Sequence, residues 1–248
     1  MQLKELCDYI QTLLDVGRFR DYCPNGLQVE GRTEVFKLAT AVTASKRAIQ
    51  SAVDWGADVL LVHHGYFWRG EEATLTGIKR GRVALLFQHD LNLLAYHLPL
   101  DAHPELGNNA QLAQRFGLIE TGRFGEQAIA CRGELPEALP LALFAERIES
   151  TLSRKPLVIG NPTQSIRRVA WCSGGGQSYF EEAIRLGADV FVTGEISEQS
   201  VHLAEESGVA FISAGHHATE RYGVQALGAH LSAQFGLQHR FFDQDNPV

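Results

Sequence analysis

The sequence predicts an α/β protein of mixed sheets covered by helical layers, built from a duplicated unit. Three observations carry this. Short runs of β-prone apolar residues alternate with helix-periodic segments along most of the chain. The run Val59-Leu60-Leu61-Val62 has no polar alternation, as expected of a strand buried on both faces, and leads directly into His63-His64-Gly65. Finally, the chain repeats itself at long range. Gly56-Ala57-Asp58-Val59 recurs as Gly187-Ala188-Asp189-Val190. Upstream, Val35 to Ala41 matches Ile166 to Cys172, and downstream His97 with Asp101 matches His216 with Glu220. Three matches in one order point to duplication, with a period far longer than a solenoid repeat. The reading divides the chain into an N-terminal half, 1–125, and a C-terminal half, 126–248, intertwined copies of one unit.

The elements follow in order. Leu3, Leu6, Ile10, Leu13 and Leu14 give residues 2–16 a helical spacing that Gly17 ends. Residues 21–31 are turn-rich, with Pro24, Asn25, Gly26 and Gly31 as breakers. Residues 35–43 make a strand. Thr43 or Ser45 caps the helix that runs to about Trp55, and Gly56 closes it before the histidine strand. A loop over 66–78 leads to a helix from Arg80 to Gln88 and a strand from Asp90 to Tyr96. Pro99 restricts His97 to His103 to a loop or a first helical turn. Asn108 or Asn109 caps a helix ending near Gly117. Glycines and prolines over 118–140 mark a hairpin and linker. The second copy then runs as helix 141–152, strand 157–159, strand 166–172, a glycine turn over 173–178, helix 179–186, strand 190–192, helix 198–206, strand 209–214 and a helix to about Phe235. His239 to Phe242 closes as a strand.

Composition narrows the function classes. The chain has 248 residues, 45% hydrophobic and 21% charged, enough for a sizeable core. Its formal net charge of −7 argues against a broad cationic surface for nucleic acid, because phosphate neutralisation needs clustered Lys and Arg. No apolar run approaches the ~18 residues of a membrane span, and the N-terminus lacks the apolar core of a signal peptide. Cys7, Cys23, Cys131 and Cys172 are scattered, without CxxC spacing, which fits small buried side chains in a reducing cytoplasm.

The candidate chemistry lies at the strand ends, the edge where open α/β sheets bind ligands. Adjacent strand residues point to opposite faces, so His63 and His64 are expected to converge only if the strand has ended before them, with Gly65 permitting the turn. His63, His64, Asp101, His216 and Glu220 mix imidazole and carboxylate, a set suited to Zn, Fe, Mn, Co or Ni. His216 and Glu220 stand at i, i+4 and share a face if a helix begins there. Five ligands exceed one tetrahedral site. Two divalent ions per chain would use them, clamping an activated hydroxide between them. Each residue also has an ordinary reading: packing for the histidine pair, a surface ion pair for His216 and Glu220, a turn cap for Asp101. Their recurrence at equivalent positions of a repeat favours metal. His97 can serve as a ligand, as a partner behind the ligands, or as a general acid/base; a supporting place beside the metals is preferred. His217 is expected to face away, and Glu195, at the repeat position of His64, to support a ligand or the fold. His89, His202, His230 and His239 read as surface or helix histidines. The Ser173 to Ser178 turn lacks the endings of a P-loop or dinucleotide fingerprint, so close packing explains its glycines better than phosphate binding.

Taken together, Pro24-Asn25-Gly26-Leu27-Gln28, Val62-His63-His64-Gly65, His97-Leu98-Pro99-Leu100-Asp101, Gly174-Gly175-Gly176 and Gly215-His216-His217-Ala218-Thr219-Glu220 resemble the NIF3 (DUF34) family across nearly the whole chain. The resemblance implies a duplicated α/β fold with a dinuclear metal centre in the cleft between the halves and a toroidal homohexamer. The family's ligand positions fall on His63, His64, Asp101, His216 and Glu220, and His97 matches a family histidine near the metals. It also implies a hydrolase resembling GTP cyclohydrolase 1 type 2, acting on a small, nucleotide-like molecule. The alternative is a metal-binding, regulatory or carrier protein without turnover.

Overall fold

In the computed structural model, which describes residues Met1–Val248, the chain forms two compact units: 1–107 with 223–245, and 108–222 with 246–248. The first opens with α1 (Leu3–Leu13), β1 (Gly26–Val29), β2 (Lys37–Thr43), α2 (Lys46–Trp55), β3 (Val59–His64), α3 (Gly77–Gln88), β4 (Asn92–Ala95) and α4 (Leu98–Ala102). The second holds α5 (Asn108–Phe116), β5 (Ile119–Phe124), β6 (Ala130–Pro140), α6 (Leu141–Leu152), β7 (Leu157–Ile159), β8 (Ser165–Cys172), α7 (Phe180–Arg185), β9 (Val190–Thr193), α8 (Glu198–Ser207) and β10 (Ala210–Ser213). Then α9 (His216–Phe235) begins in the second unit, and β11 (Gln238–Phe241) belongs to the first.

The first unit's sheet has the order β1-β4-β3-β2-β11. β11, β2, β3 and β4 are parallel, and β1 is an antiparallel edge. The second unit's sheet has the order β5-β6-β8-β9-β10-β7, with β8, β9 and β10 parallel. The shared part of the two orders keeps its register. Leu38 pairs with Val59 as Val169 pairs with Val190, and Gly26 pairs with Ala95 as Leu157 pairs with Ser213.

The recurring Gly-Ala-Asp-Val explains that register. Gly56 and Gly187 take positive φ (73° and 77°), a conformation that costs glycine little. The aspartate that follows reaches back to the start of the neighbouring strand. Asp58 accepts the N–H groups of Phe36 and Lys37, each at 2.8 Å, and the Arg32 guanidinium at 3.0 Å. Asp189 accepts the N–H groups of Arg167 and Arg168 at 3.0 and 2.7 Å, and the Arg168 guanidinium at 2.6 Å. A carboxylate that collects two successive amides near the start of a strand fixes which residues face each other.

Strand alternation divides the first core between the two sheet faces. Val59 and Leu61 pack with Leu6, Ile10, Val224 and Leu227; Leu60 and Val62 pack with Ile49, Ala52 and Leu86. The second unit buries Phe116, Phe144, Trp171, Val192 and Ile212 in one cluster, with Phe180, Phe191 and Phe211 in ring contact. No helix is long and apolar enough to cross a membrane.

Three element readings need correction. The turn-rich stretch 21–31 contains β1, a four-residue edge strand whose first residue is a glycine at φ 113°. Residues 118–140 include no linker: β5 and β6 form a hairpin, and β6 lies inside the sheet against β8, its register broken between Glu134 and Leu139 next to Pro136. Helix α3 starts at Gly77, ahead of Arg80. At residues 98–102 the first-turn alternative holds, with Pro99 inside α4's opening turn.

Candidate metal centre

In the first unit β3 delivers the histidine pair and the β4–α4 junction delivers His97 and Asp101. The strand does not end before the pair, contrary to expectation: β3 extends through His64, opposite Thr43. The rings nevertheless approach, with centroids 4.7 Å apart, because each Nδ1 is drawn to a neighbouring chain segment. His63 Nδ1 lies 2.9 Å from the Tyr96 carbonyl and His64 Nδ1 3.2 Å from the Thr43 hydroxyl. A carbonyl only accepts, so Nδ1 of His63 carries the proton and Nε2 presents its lone pair. That Nε2 is 3.4 Å from Asp101 Oδ2. His63 is fully buried and Asp101 is 5% exposed. The candidate ligand atoms of His63, His64 and His97 lie within 4.8 Å of one another. Gly65 has no room for a side chain, because a Cβ there would overlap Gln28.

His97 is held by the Pro24 to Gln28 region. Its backbone N–H donates to Asn25 Oδ1 (2.7 Å), and its Nδ1–H donates to Asp21 Oδ1 (2.7 Å). Asp21 also accepts the N–H groups of Leu98 and Tyr22 and the Asn25 amide. Burial works against the charged form of Asp21, but His97 and these donors outweigh it and hold the carboxyl down at about 2. Gln28 spans the Pro24 and Tyr66 backbones. The Trp68 ring stands edge-on to His97, centroids 4.9 Å apart.

In the second unit α9 begins at His216, so His216 and Glu220 share a face as their spacing predicts. His216 Nε2 lies 3.2 Å from Glu220 Oε2, and its Nδ1 2.7 Å from Glu195 Oε1. Burial works against charge on this ring, yet Glu220 and Glu195 outweigh it and raise His216 to about 9. Glu220 is 3% exposed. The glycine turn wraps this pair by close packing. A Cβ on Gly174 would overlap Glu220 Oε1 and crowd His216, and one on Gly176 would press on Cys172 and Thr193. Gln177 Nε2 donates to Glu195 (3.1 Å).

The remaining histidines divide. His103 Nδ1 accepts from Glu105 and Leu106 N–H and caps a turn. His202 pairs loosely with Glu198 at the surface. His230 is a helix histidine, as read, and stacks on Tyr9 from α9; His239 is neither a surface nor a helix residue but lies in β11, half-buried, and contacts the Thr40 hydroxyl at 2.9 Å. Two supporting residues escaped sequence reasoning. Asp21 reads as an ordinary turn former, and nothing marks Trp68 as a neighbour of His97.

Each unit therefore presents imidazole nitrogens beside a nearly buried carboxylate. Buried carboxylates are rare unless paired or bound to a cation, and this donor set suits a borderline divalent ion. Fold and donors together define a two-sheet α/β protein with a candidate metal-binding His/Asp/Glu cluster. Residues 1–247 match the family Duf34/NIF3 (NGG1p interacting factor 3), and the chain belongs to it. It is 55% identical over 245 residues to the GTP cyclohydrolase 1 type 2 homolog of Neisseria meningitidis serogroup B, covering 99% of this chain and 98% of that one. Among solved structures it is similar to protein ybgI, 48% identical with a TM-score of 0.97 over the full length of both chains. TTHA1606 from Thermus thermophilus is 38% identical with a TM-score of 0.91, again over both full chains.

Proposed function

We propose that the protein is a metal-dependent hydrolase that binds two divalent ions through His63, His64, Asp101, His216 and Glu220. The observation that carries the reading is the pairing, in each unit, of histidine nitrogens with a carboxylate that is almost fully buried: His63 with Asp101, and His216 with Glu220. When bound, such ions polarise a substrate oxygen and lower the pKa of a water. The chain's own residues do the rest. Asp101 and Glu220 supply negative charge that offsets the cations, and Glu195 orients His216. His97, beside His63 and His64, accepts and returns a proton during attack on the substrate. The names of the relatives support a nucleotide-like substrate opened by water, as a GTP cyclohydrolase requires. A cytoplasmic homohexamer belongs to the same reading.

Elemental analysis of the purified protein tests it. Two ions per chain are expected, with Asp101→Ala or Glu220→Ala losing metal and turnover together while circular dichroism stays native. Full turnover by metal-stripped protein against nucleotides, cyclic amides and phosphoesters would exclude the reading. The burial of His63, Asp101 and Glu220 favours one alternative, a metal-binding or carrier protein whose ligands are closed to substrate. Metal at full occupancy with no turnover across that panel would select it.

A further inference from the structure

His97 and His216 occupy equivalent places in the repeat and are held in the same way by unrelated carboxylates. Glu195 follows β9 and meets His216 Nδ1 at 2.7 Å. Asp21 lies in the segment before β1 and meets His97 Nδ1 at the same 2.7 Å. An ionised carboxylate has no proton to give, so in both cases Nδ1 is the donor. We infer that Asp21 is a positioning residue for His97: it fixes the ring by taking its Nδ1–H, so that Nε2 is the nitrogen that takes part in chemistry beside His63 and His64.

Two features distinguish this from ordinary turn capping. First, Asp21 grips His97 from two sides. One oxygen takes the ring N–H and the other takes the N–H of Leu98, the next residue (2.9 Å), so ring rotation and backbone are fixed together. Second, Asp21 is itself held. Asn25 donates to it at 2.8 Å while accepting the His97 backbone N–H, and Arg69 reaches the Asp21 carbonyl at 3.1 Å. The Asp21 side chain is only 3% exposed. A carboxylate behind an imidazole fixes its tautomer and raises the basicity of the far nitrogen.

The role rests on the hydrolase reading for its purpose, but its test does not. Nitrogen-15 spectra of the full-length chain, labelled at histidine, stripped of metal and recorded while the pH is raised until the ring is neutral, report the tautomer; His97→Gln assigns the signal. The wild type is expected to show a protonated Nδ1 and an unprotonated Nε2 at His97. Asp21→Asn is expected to lose that preference, with Nε2 protonated in a large fraction of molecules, and Asp21→Glu to restore it in part. A residue with only a folding role would leave the ring unchanged. A wild-type His97 protonated at Nε2 alone overturns the inference. So does an unchanged tautomer in a folded Asp21→Asn protein. If that variant does not fold, the wild-type tautomer decides. Absence of bound metal from the native protein would remove the hydrolase reading while leaving the tautomer result intact.

Discussion

The two units share a frame and differ at its rim. β2, β3 and β4 repeat as β8, β9 and β10 with one register, and Asp58 and Asp189 perform one task at their N-terminal ends. At the C-terminal ends the residues diverge. Where the first unit has His63 and His64, the second has Gly194 and Glu195. Where the first has Thr43 against His64, the second has Gly174, with space for Glu220. His97 enters the five-residue α4, whereas His216 opens the twenty-residue α9. Strand pairing cannot tolerate drift, because a one-residue slip would turn every side chain to the wrong face. The last strand positions and the loops beyond them bear less of that constraint, so one copy became rich in imidazole and the other in carboxylate.

The frame itself offers the largest contrast. Asp58→Ala strands two amides and an arginine at a site where the carboxylate is 7% exposed, and should cost about 2–4 kcal/mol. Asp189→Ala should cost less, about 1–2 kcal/mol, because water reaches its partners more easily. Urea unfolding of the two variants measures both. Equal losses would mean that burial does not separate the copies.

The rim comes next. Gly174→Ala places a Cβ at φ 61° and against Glu220, and should cost roughly 1–3 kcal/mol and lower the metal content. Thr43→Ala at the equivalent position removes one hydroxyl beside His64, an effect of about 1 kcal/mol. Thermal melts paired with elemental analysis distinguish a site that needs emptiness from one that needs a side chain.

The smallest effect is a pH slope. Burial opposes the charge on Asp189, but Arg168 and the backbone donors outweigh it and hold its carboxyl below the usual range. Below the ordinary carboxylate pKa of about 3.9 the unfolded chain binds that proton more readily than the folded one. The stabilisation is present above that value and is lost as pH falls through the lower native one. Asp189→Asn should flatten the wild-type stability curve in this acid window and leave the neutral-pH slope unchanged.

Much of this was legible in the sequence because apolar runs and glycine stops are local signals. Val59 to Val62 fitted a strand buried on both faces, and Gly-Ala-Asp-Val announced its twin. β1 escaped because four residues at an edge, one of them a glycine, carry the same residues as a turn. The β5–β6 hairpin was legible, but the far end of β6 reads as a linker because Pro136 and Pro140 resemble breakers, although the register break accommodates the first and the second ends the strand. His216 and Glu220 share a helix face and could be paired from spacing. Asp21 and His97 meet only through the tertiary fold, and aspartate in a Pro-Asn-Gly neighbourhood looks like punctuation.

β11 has a consequence for how the protein is made. It lies beside β2, and Phe242 N–H bonds Thr40 O, so a sheet begun at β2 is completed only once a strand far downstream in the chain has been made. Until then β2 exposes an unsatisfied flank to any other extended polypeptide. Truncation before residue 238 would leave that flank permanently open, and such a product should be caught by chaperones or precipitate during synthesis.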